Sequence, residues 1–145
     1  MNYEITLEEM PSDDDLGVLR NGLAEYGQSM FGTTSVVDVT FFVRDGEGAI
    51  VGGVHGNYGS FGWMYVDTLW VSERLRGNDY GTRLMNLIED AAIRNGCTQS
   101  YLNTFSFQAP EFYKKLGYTV FAELEDFPAG HSRIFMRKRL AANYK

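Results

Sequence analysis

Val66-Asp67-Thr68-Leu69-Trp70-Val71, followed by Arg76-Gly77-Asn78-Asp79-Tyr80-Gly81-Thr82, is the stretch on which the reading of the fold turns. From Trp63 to Val71 the chain is apolar and aromatic, with Asp67 its only acid, and an acid in such a run needs a reason. After the loop, Leu84, Leu87, Ile88, Ala91 and Ala92 recur at the spacing of one buried helical face. The spacing predicts a helix over about 81–95, with Gly96 after Asn95 as its stop. Arg83, Glu89, Asp90 and Arg94 fall largely on the solvent side, Asp90 and Arg94 forming an i,i+4 pair. A strand therefore runs out and a helix runs in. The loop between them carries two glycines and a leading arginine, so several backbone N–H groups can converge where the helix dipole is positive, which makes an anion cradle.

Upstream, Tyr3 to Leu7 alternates as a first strand and Pro11-Ser12 breaks it. Ser12 is an N-cap with Asp13, Asp14 and Asp15 in the first turn, and Leu16, Leu19, Leu23 and Tyr26 continue a helix over about 13–27. The aspartate run reads as a helix start rather than a metal site, having no matching ligand spacing. Val36–Val43 and Ala49–Tyr58 form a hairpin about Asp45-Gly46-Glu47-Gly48. Gly52, Gly53 and Gly56 weaken its second strand, and either mark a bulge or leave room for something to lie close to the backbone. Downstream come a strand over 100–104, a short helix over 110–116, and strands over 118–124 and 132–140. Arg133, Arg137, Lys138 and Arg139 alternate poorly and are expected on an exposed edge. The order gives an α+β fold, a mixed and mainly antiparallel sheet of about seven strands flanked by helices, in a single domain over 1–145 without repeats or linkers.

The 145 residues suffice for one ordinary core. With 13 basic and 19 acidic residues the net charge is −6, which argues against a sequence-independent grip on nucleic acid or anionic lipid and suits a cationic or amine substrate. The single cysteine, Cys97, excludes an intrachain disulfide and fits a reducing compartment. No segment approaches the roughly 18 unbroken apolar residues of a membrane span, and the N-terminus is too acidic for a signal peptide, so a cytoplasmic location is expected.

The central loop resembles the acyl-CoA-binding core of the GNAT superfamily of N-acyltransferases, whose signature is a strand, a loop reading R/Q-x-x-G-x-G/A and a helix. Arg76 and Gly81 match, while Asp79 stands at the first motif glycine. Ala109-Pro110-Glu111-Phe112-Tyr113-Lys114-Lys115-Leu116-Gly117-Tyr118 is similar to the second signature of that family, A-x-x-x-Y-x-x-x-G-F/Y. The resemblance implies two central strands splayed into an acyl-CoA cleft, acetyl-CoA as co-substrate, no metal, and a homodimer. It also implies a cofactor-binding set of the backbone of Leu69, Trp70 and Val71, the loop Arg76, Gly77, Asn78, Asp79, Tyr80, Gly81 and Thr82, and Asn103 or Ser106 near a position where the family often has asparagine.

Two side chains carry the implied chemistry. Asp67 stands where many relatives have an acidic general base, and an amine must lose its proton before attacking a thioester. A carboxylate satisfied by backbone donors at a strand bulge is the equal alternative. Tyr113 matches the tyrosine that protonates the departing thiolate; otherwise it is a core aromatic with Phe112 and Leu116. Phe112 and Tyr113 are not expected to share a face. His55 and His131 lack partners for a metal, and His131 lies on a loop that can border an acceptor cleft. Trp63, Tyr65 and Trp70 are first of all sheet aromatics. The expectation is acetyl transfer to a primary amine by direct attack. Asp79 and Ser106, which depart from the pattern, keep open a non-catalytic acyl-CoA sensor. A nucleotide-phosphate binder ranks last, since the loop lacks Gly-Lys-Ser/Thr.

Overall fold

The computed structural model describes residues 1–32 and 34–140; Thr33 and the last five residues of the expected domain lie outside the described residues. The chain divides between Thr34 and Ser35 into two compact units.

In the first unit, helix α1 runs Asp13–Phe31, one turn longer than its apolar spacing indicates. Ser12 Oγ accepts the Asp15 N–H at 3.0 Å, and three aspartates occupy the first turn, so both the cap and the dipole favour this start. Gly32, at φ 78°, ends the helix with its N–H on Gln28 O. No strand forms over 3–7: the alternation is present, but no ladder partner takes these backbone groups among the described residues.

The second unit contains β1 (Val37–Arg44), β2 (Ile50–Tyr58), β3 (Trp63–Val71), α2 (Tyr80–Arg94), β4 (Gln99–Phe105), α3 (Pro110–Lys115), β5 (Thr119–Glu125) and β6 (Ser132–Arg139). The described strands are six, in the order β1-β2-β3-β4-β6-β5, and only the β3–β4 pair is parallel. Asp45 closes the first hairpin by accepting the N–H groups of Glu47 and Ala49, which hold its carboxyl below the usual range. The core lies between one face of the sheet and α2: Val54, Met64, Val66, Leu102, Ile134 and Met136 meet Leu84, Met85, Ile88 and Ala92.

Helix α2 buries a face rotated from the one its leucines suggest. Leu87 is 45% exposed, whereas Met85 and Glu89 are buried. The reason is a polar cluster inside the fold. Lys138 Nζ donates to Glu89 Oε1 at 2.7 Å, and the Tyr118 hydroxyl donates to Glu89 Oε2 at 2.9 Å and lies 2.9 Å from Ser100 Oγ. Burial and the neighbouring Glu89 charge raise the Tyr118 phenol well above its ordinary pKa. Lys138 therefore does not sit on an exposed edge as its neighbours in sequence suggest. Strand β6 is interior to the sheet, and a buried carboxylate can stay there only if it is paired.

Strand β3 is where the sheet opens. It pairs with β4 only at Trp63, Met64 and Tyr65. On its other side the register with β2 shifts between His55 and Gly56, whose partners are Thr68 and Val66, so Asp67 is the extra, unpaired residue of a β-bulge. A side chain at Gly56 would run into Tyr65 O and meet Ile88 Cδ1 at 3.1 Å, which explains the glycine. Replacing it, Gly56→Ala, is expected to cost at least about 2 kcal/mol in urea denaturation, since backbone rather than a flexible side chain must move. Lys138→Met is expected to cost a similar ~2 kcal/mol by stranding the Glu89 carboxylate, measured the same way.

Candidate active site

Beyond the bulge, β3 and β4 diverge and enclose a cleft of about 960 Å³. Ser72 N–H donates to Val51 O at 2.9 Å, so strand alternation turns the N–H and C=O groups of Trp70 toward β2 and those of Leu69 and Val71 toward the gap. Val71 O is taken by Arg76 Nε at 3.2 Å, which anchors the arginine at the cleft. Leu69 and Val71 thus keep backbone donors facing an open space between two strands, an arrangement that invites an extended amide-bearing chain.

The loop after β3 completes one end of the cleft. Gly77 (φ 80°) and Asp79 (φ 63°) both take left-handed backbone, which asparagine and aspartate tolerate better than most residues. Asp79 is the N-cap of α2, yet its carboxylate makes no capping bond. Among the described residues no protein acceptor takes the N–H groups of Gly77, Asn78, Asp79, Tyr80, Gly81 or Thr82. This is an anion cradle at a helix N-terminus. Asn78 Nδ2 braces it by donating to Leu75 O and Arg76 O. Gly81 packs closely under α3: a Cβ there would stand 3.1 Å from Phe112 Cζ, so the ring would have to give way.

The cleft brings together Asp67, Leu69, Trp70, Val71, Arg76, Gly77, Asp79, Tyr80, Gly81, Thr82, Asn103 and Tyr113. It does not include Asn78, the loop brace, or Ser106, whose hydroxyl accepts the Ser132 N–H at 2.9 Å and ties the end of β4 to the start of β6. Asn103 is engaged on both sides of its amide, donating to Tyr65 OH at 3.1 Å and accepting from Arg133 Nε at 2.9 Å. Asp67 is exposed at the bulge and lines the cleft, rather than lying in an apolar interior. Phe112 and Tyr113, both on the six-residue α3, line the cleft together, their rings meeting edge to face at 5.2 Å. Burial raises the Tyr113 phenol above its ordinary pKa.

Several lining residues carry no signal in the sequence. Thr68, Thr104, Phe105, Phe107 and Gln108 all border the cleft. Gln108 Oε1 accepts from Thr104 Oγ1 and from Phe105 N–H, which shapes the turn leading to α3. The pair Phe105 and Phe107, two residues apart, stacks at 5.2 Å, and His131 stands edge-on to Phe107 at 5.1 Å. Arg133, expected at an exposed edge, instead lies within 6 Å of the rings of Phe105, Phe127 and Phe135 and is half-buried.

A carboxylate at the rim of an anion cradle weakens it. Asp79→Asn keeps a residue that accepts left-handed backbone and removes the charge. It is expected to tighten inorganic pyrophosphate binding by about two- to fivefold at low salt, read by titration calorimetry, and the gain is expected to shrink as salt rises.

Comparison with known proteins agrees with this geometry. A model of the family described as "Acetyltransferase (GNAT) family" matches residues 3–118. An acetyltransferase of Agrobacterium fabrum is 29% identical over 139 residues, covering 96% of this chain and 99% of that one. Blasticidin-S acetyltransferase of Streptomyces morookaense is 37% identical over 95 residues, covering 65% of this chain and 69% of that protein. The crystal structure of an acetyltransferase from Bacillus cereus superposes with a TM-score of 0.84 at 38% identity, covering 93% of this chain and 98% of that one.

Proposed function

The chain belongs to the GNAT acetyltransferase family, and on that premise we propose that it transfers the acetyl group of acetyl-CoA to a primary amine by direct attack on the thioester. The observation that carries this reading is the convergence of an unpaired amide cradle, an open strand edge and Tyr113 on one cleft. These residues fit the co-substrate: the Gly77–Thr82 amides and Arg76 would hold the pyrophosphate, and the gap-facing groups of Leu69 and Val71 would pair with the pantetheine amides. Bound acetyl-CoA supplies an activated acyl group.

Within this mechanism Asp67, exposed at the bulge, accepts a proton from the amine, directly or through water. The amine nitrogen then forms its bond to the acyl carbon as the carbon–sulfur bond breaks. A backbone N–H of β3 donates to the carbonyl oxygen where negative charge develops. Tyr113 gives its proton to the departing sulfur, the acylated nitrogen sheds its remaining excess proton to solvent to become the amide, and solvent reprotonates Tyr113. The raised pKa of Tyr113 suits an acid, since the phenol stays protonated throughout the neutral range. Its place in the cleft favours turnover over a non-catalytic acyl-CoA sensor.

The likeness to blasticidin-S acetyltransferase supports a small-molecule acceptor. The whole chain, 1–145, acts as one N-acetyltransferase domain in this reading, which the span of the family match supports. A cytoplasmic location is part of the same reading, supported by the single, buried Cys97. No helix of the described residues is long and apolar enough to cross a membrane. A homodimer enters through the family resemblance alone.

Tyr113→Phe is expected to lower kcat by about 10² with little change in the KM for acetyl-CoA, in steady-state assays that follow CoA release. Wild-type kcat is not expected to fall through loss of the Tyr113 proton until the pH passes the ordinary tyrosine value of about 10, because burial favours the neutral phenol. Wild-type kcat in Tyr113→Phe across the pH range would remove the acid role.

A further inference from the structure

Helix α3, which carries Tyr113, does not hold itself in place. It has six residues, none of them buried, and Ala109 at its start makes no side-chain capping bond. A helix of that length is marginal on its own. Among the described residues the Tyr113 hydroxyl has no hydrogen-bond partner, so backbone and ring contacts decide where it points. Phe112 touches that ring at 5.2 Å but belongs to the same helix and moves with it.

Tyr118 supplies the fixed point. The Gly117 N–H donates to Lys114 O and the Tyr118 N–H to Tyr113 O, each at 3.0 Å, with Gly117 in left-handed backbone at φ 99°. This pair of bonds is a Schellman closure, which commonly brings together the side chains of the two residues joined by its longer bond. Here those residues are Tyr113 and Tyr118, and their rings meet edge-on at 6.0 Å. Tyr118 therefore grips Tyr113 twice, by backbone and by ring.

Tyr118 is in turn pinned from three elements. It is 2% exposed, and its hydroxyl donates to Glu89 Oε2 of α2 at 2.9 Å. Ser100 Oγ of β4, 2.9 Å away, donates to the same hydroxyl, because a phenol has one proton to give. Lys138 Nζ of β6 pairs with Glu89 Oε1 at 2.7 Å and lies 5.7 Å from the centre of the Tyr118 ring. A phenylalanine would fill nearly the same volume, and a buried ion pair adds little net stability once its desolvation is counted. What the polar cluster adds is a single location for the Tyr118 side chain.

We propose that Tyr118, pinned by Glu89, Ser100 and Lys138, is the positioning residue for Tyr113, passing the fixed geometry of α2, β4 and β6 to the acid through the C-terminal turn of α3. The proposal rests on the acid role of Tyr113.

The test is a double-mutant cycle on the full chain: wild type, Tyr118→Phe, Tyr113→Phe and the double variant. CoA release from acetyl-CoA is followed with n-butylamine, 2-phenylethylamine, spermidine and L-lysine, using whichever wild type transfers fastest. Tyr118→Phe is expected to lower kcat about tenfold with KM for acetyl-CoA within about twofold, and to cost less than about twofold once Tyr113 is already phenylalanine. The same loss of kcat in both backgrounds, or none in either, overturns the positioning role while leaving the acid role standing. Wild-type kcat in Tyr113→Phe overturns both. Should Tyr118→Phe not fold, Ser100→Ala, which removes one hydroxyl partner, takes its place in the cycle with an expected loss of about threefold, read by the same criteria. If none of the four amines is transferred, NMR of the protein labelled with ring-13C tyrosine decides, the Tyr113 signal being assigned by its absence in Tyr113→Phe. Phenylalanine at 118 keeps a ring beside Tyr113, so a signal that moves or broadens in Tyr118→Phe supports positioning by the hydroxyl cluster, and an unmoved signal overturns it.

Discussion

The rest of the second unit depends on one backbone constraint, the failure of β3 to stay paired on both sides past Tyr65. A strand in the middle of a sheet normally spends all its N–H and C=O groups on neighbours. Here an extra residue, Asp67, is accommodated opposite the tight turn of register at Gly56, and the added twist swings β3 away from β4. One irregularity has three effects. It opens the cleft, it leaves the gap-facing groups of Leu69 and Val71 without a strand partner, and it places a carboxylate at the opening. The cost of leaving ladder positions unpaired in the middle of a sheet is met by the core beneath, where Met64, Val66 and Ile88 are fully or almost fully buried.

Around that opening, the supports are held by short-range chemistry. Arg76 is tied back to Val71 O, Asn78 to the carbonyls of Leu75 and Arg76, and the Phe112 ring lies close against the helix at Gly81. The buried cluster of Glu89, Lys138, Tyr118 and Ser100 joins α2, β4 and β6 on the core side, and Tyr118 in turn stands edge-on to Tyr113 at 6.0 Å. Rigid supports of this kind let a loop rich in free amides hold one shape without a ligand.

Much of this was readable in residue order, and the misses have physical causes. The β-branched and aromatic runs gave the boundaries of β3 to the residue, and the Ser12 cap located the start of α1, because both are local signals. The loop and the second signature led to the cleft for the same reason. What could not be read depends on partners distant in sequence. Tyr3–Leu7 alternates like a strand, yet a strand exists only with a neighbour. Glu89 looked solvent-facing because its charge is balanced by Lys138, 49 positions away. Arg133 looked like an edge residue because the rings around it come from Phe105, Phe127 and Phe135. The glycines of β2 announced close approach but not whether to strand or ligand; register shows Gly56 serving the bulge and Gly53 lying against Phe41 O and the Phe42 ring of β1.

The most direct test of the account is residue-resolved amide hydrogen exchange with and without saturating acetyl-CoA. The account predicts slowed exchange concentrated at Leu69 and Val71 and at Gly77 through Thr82, the donors that face the cleft without protein acceptors, with β1 and β5 unaffected. Acetyl-CoA that binds without slowing exchange at these amides would contradict it, since the open strand edge and the helix-start cradle would then not be what holds the ligand.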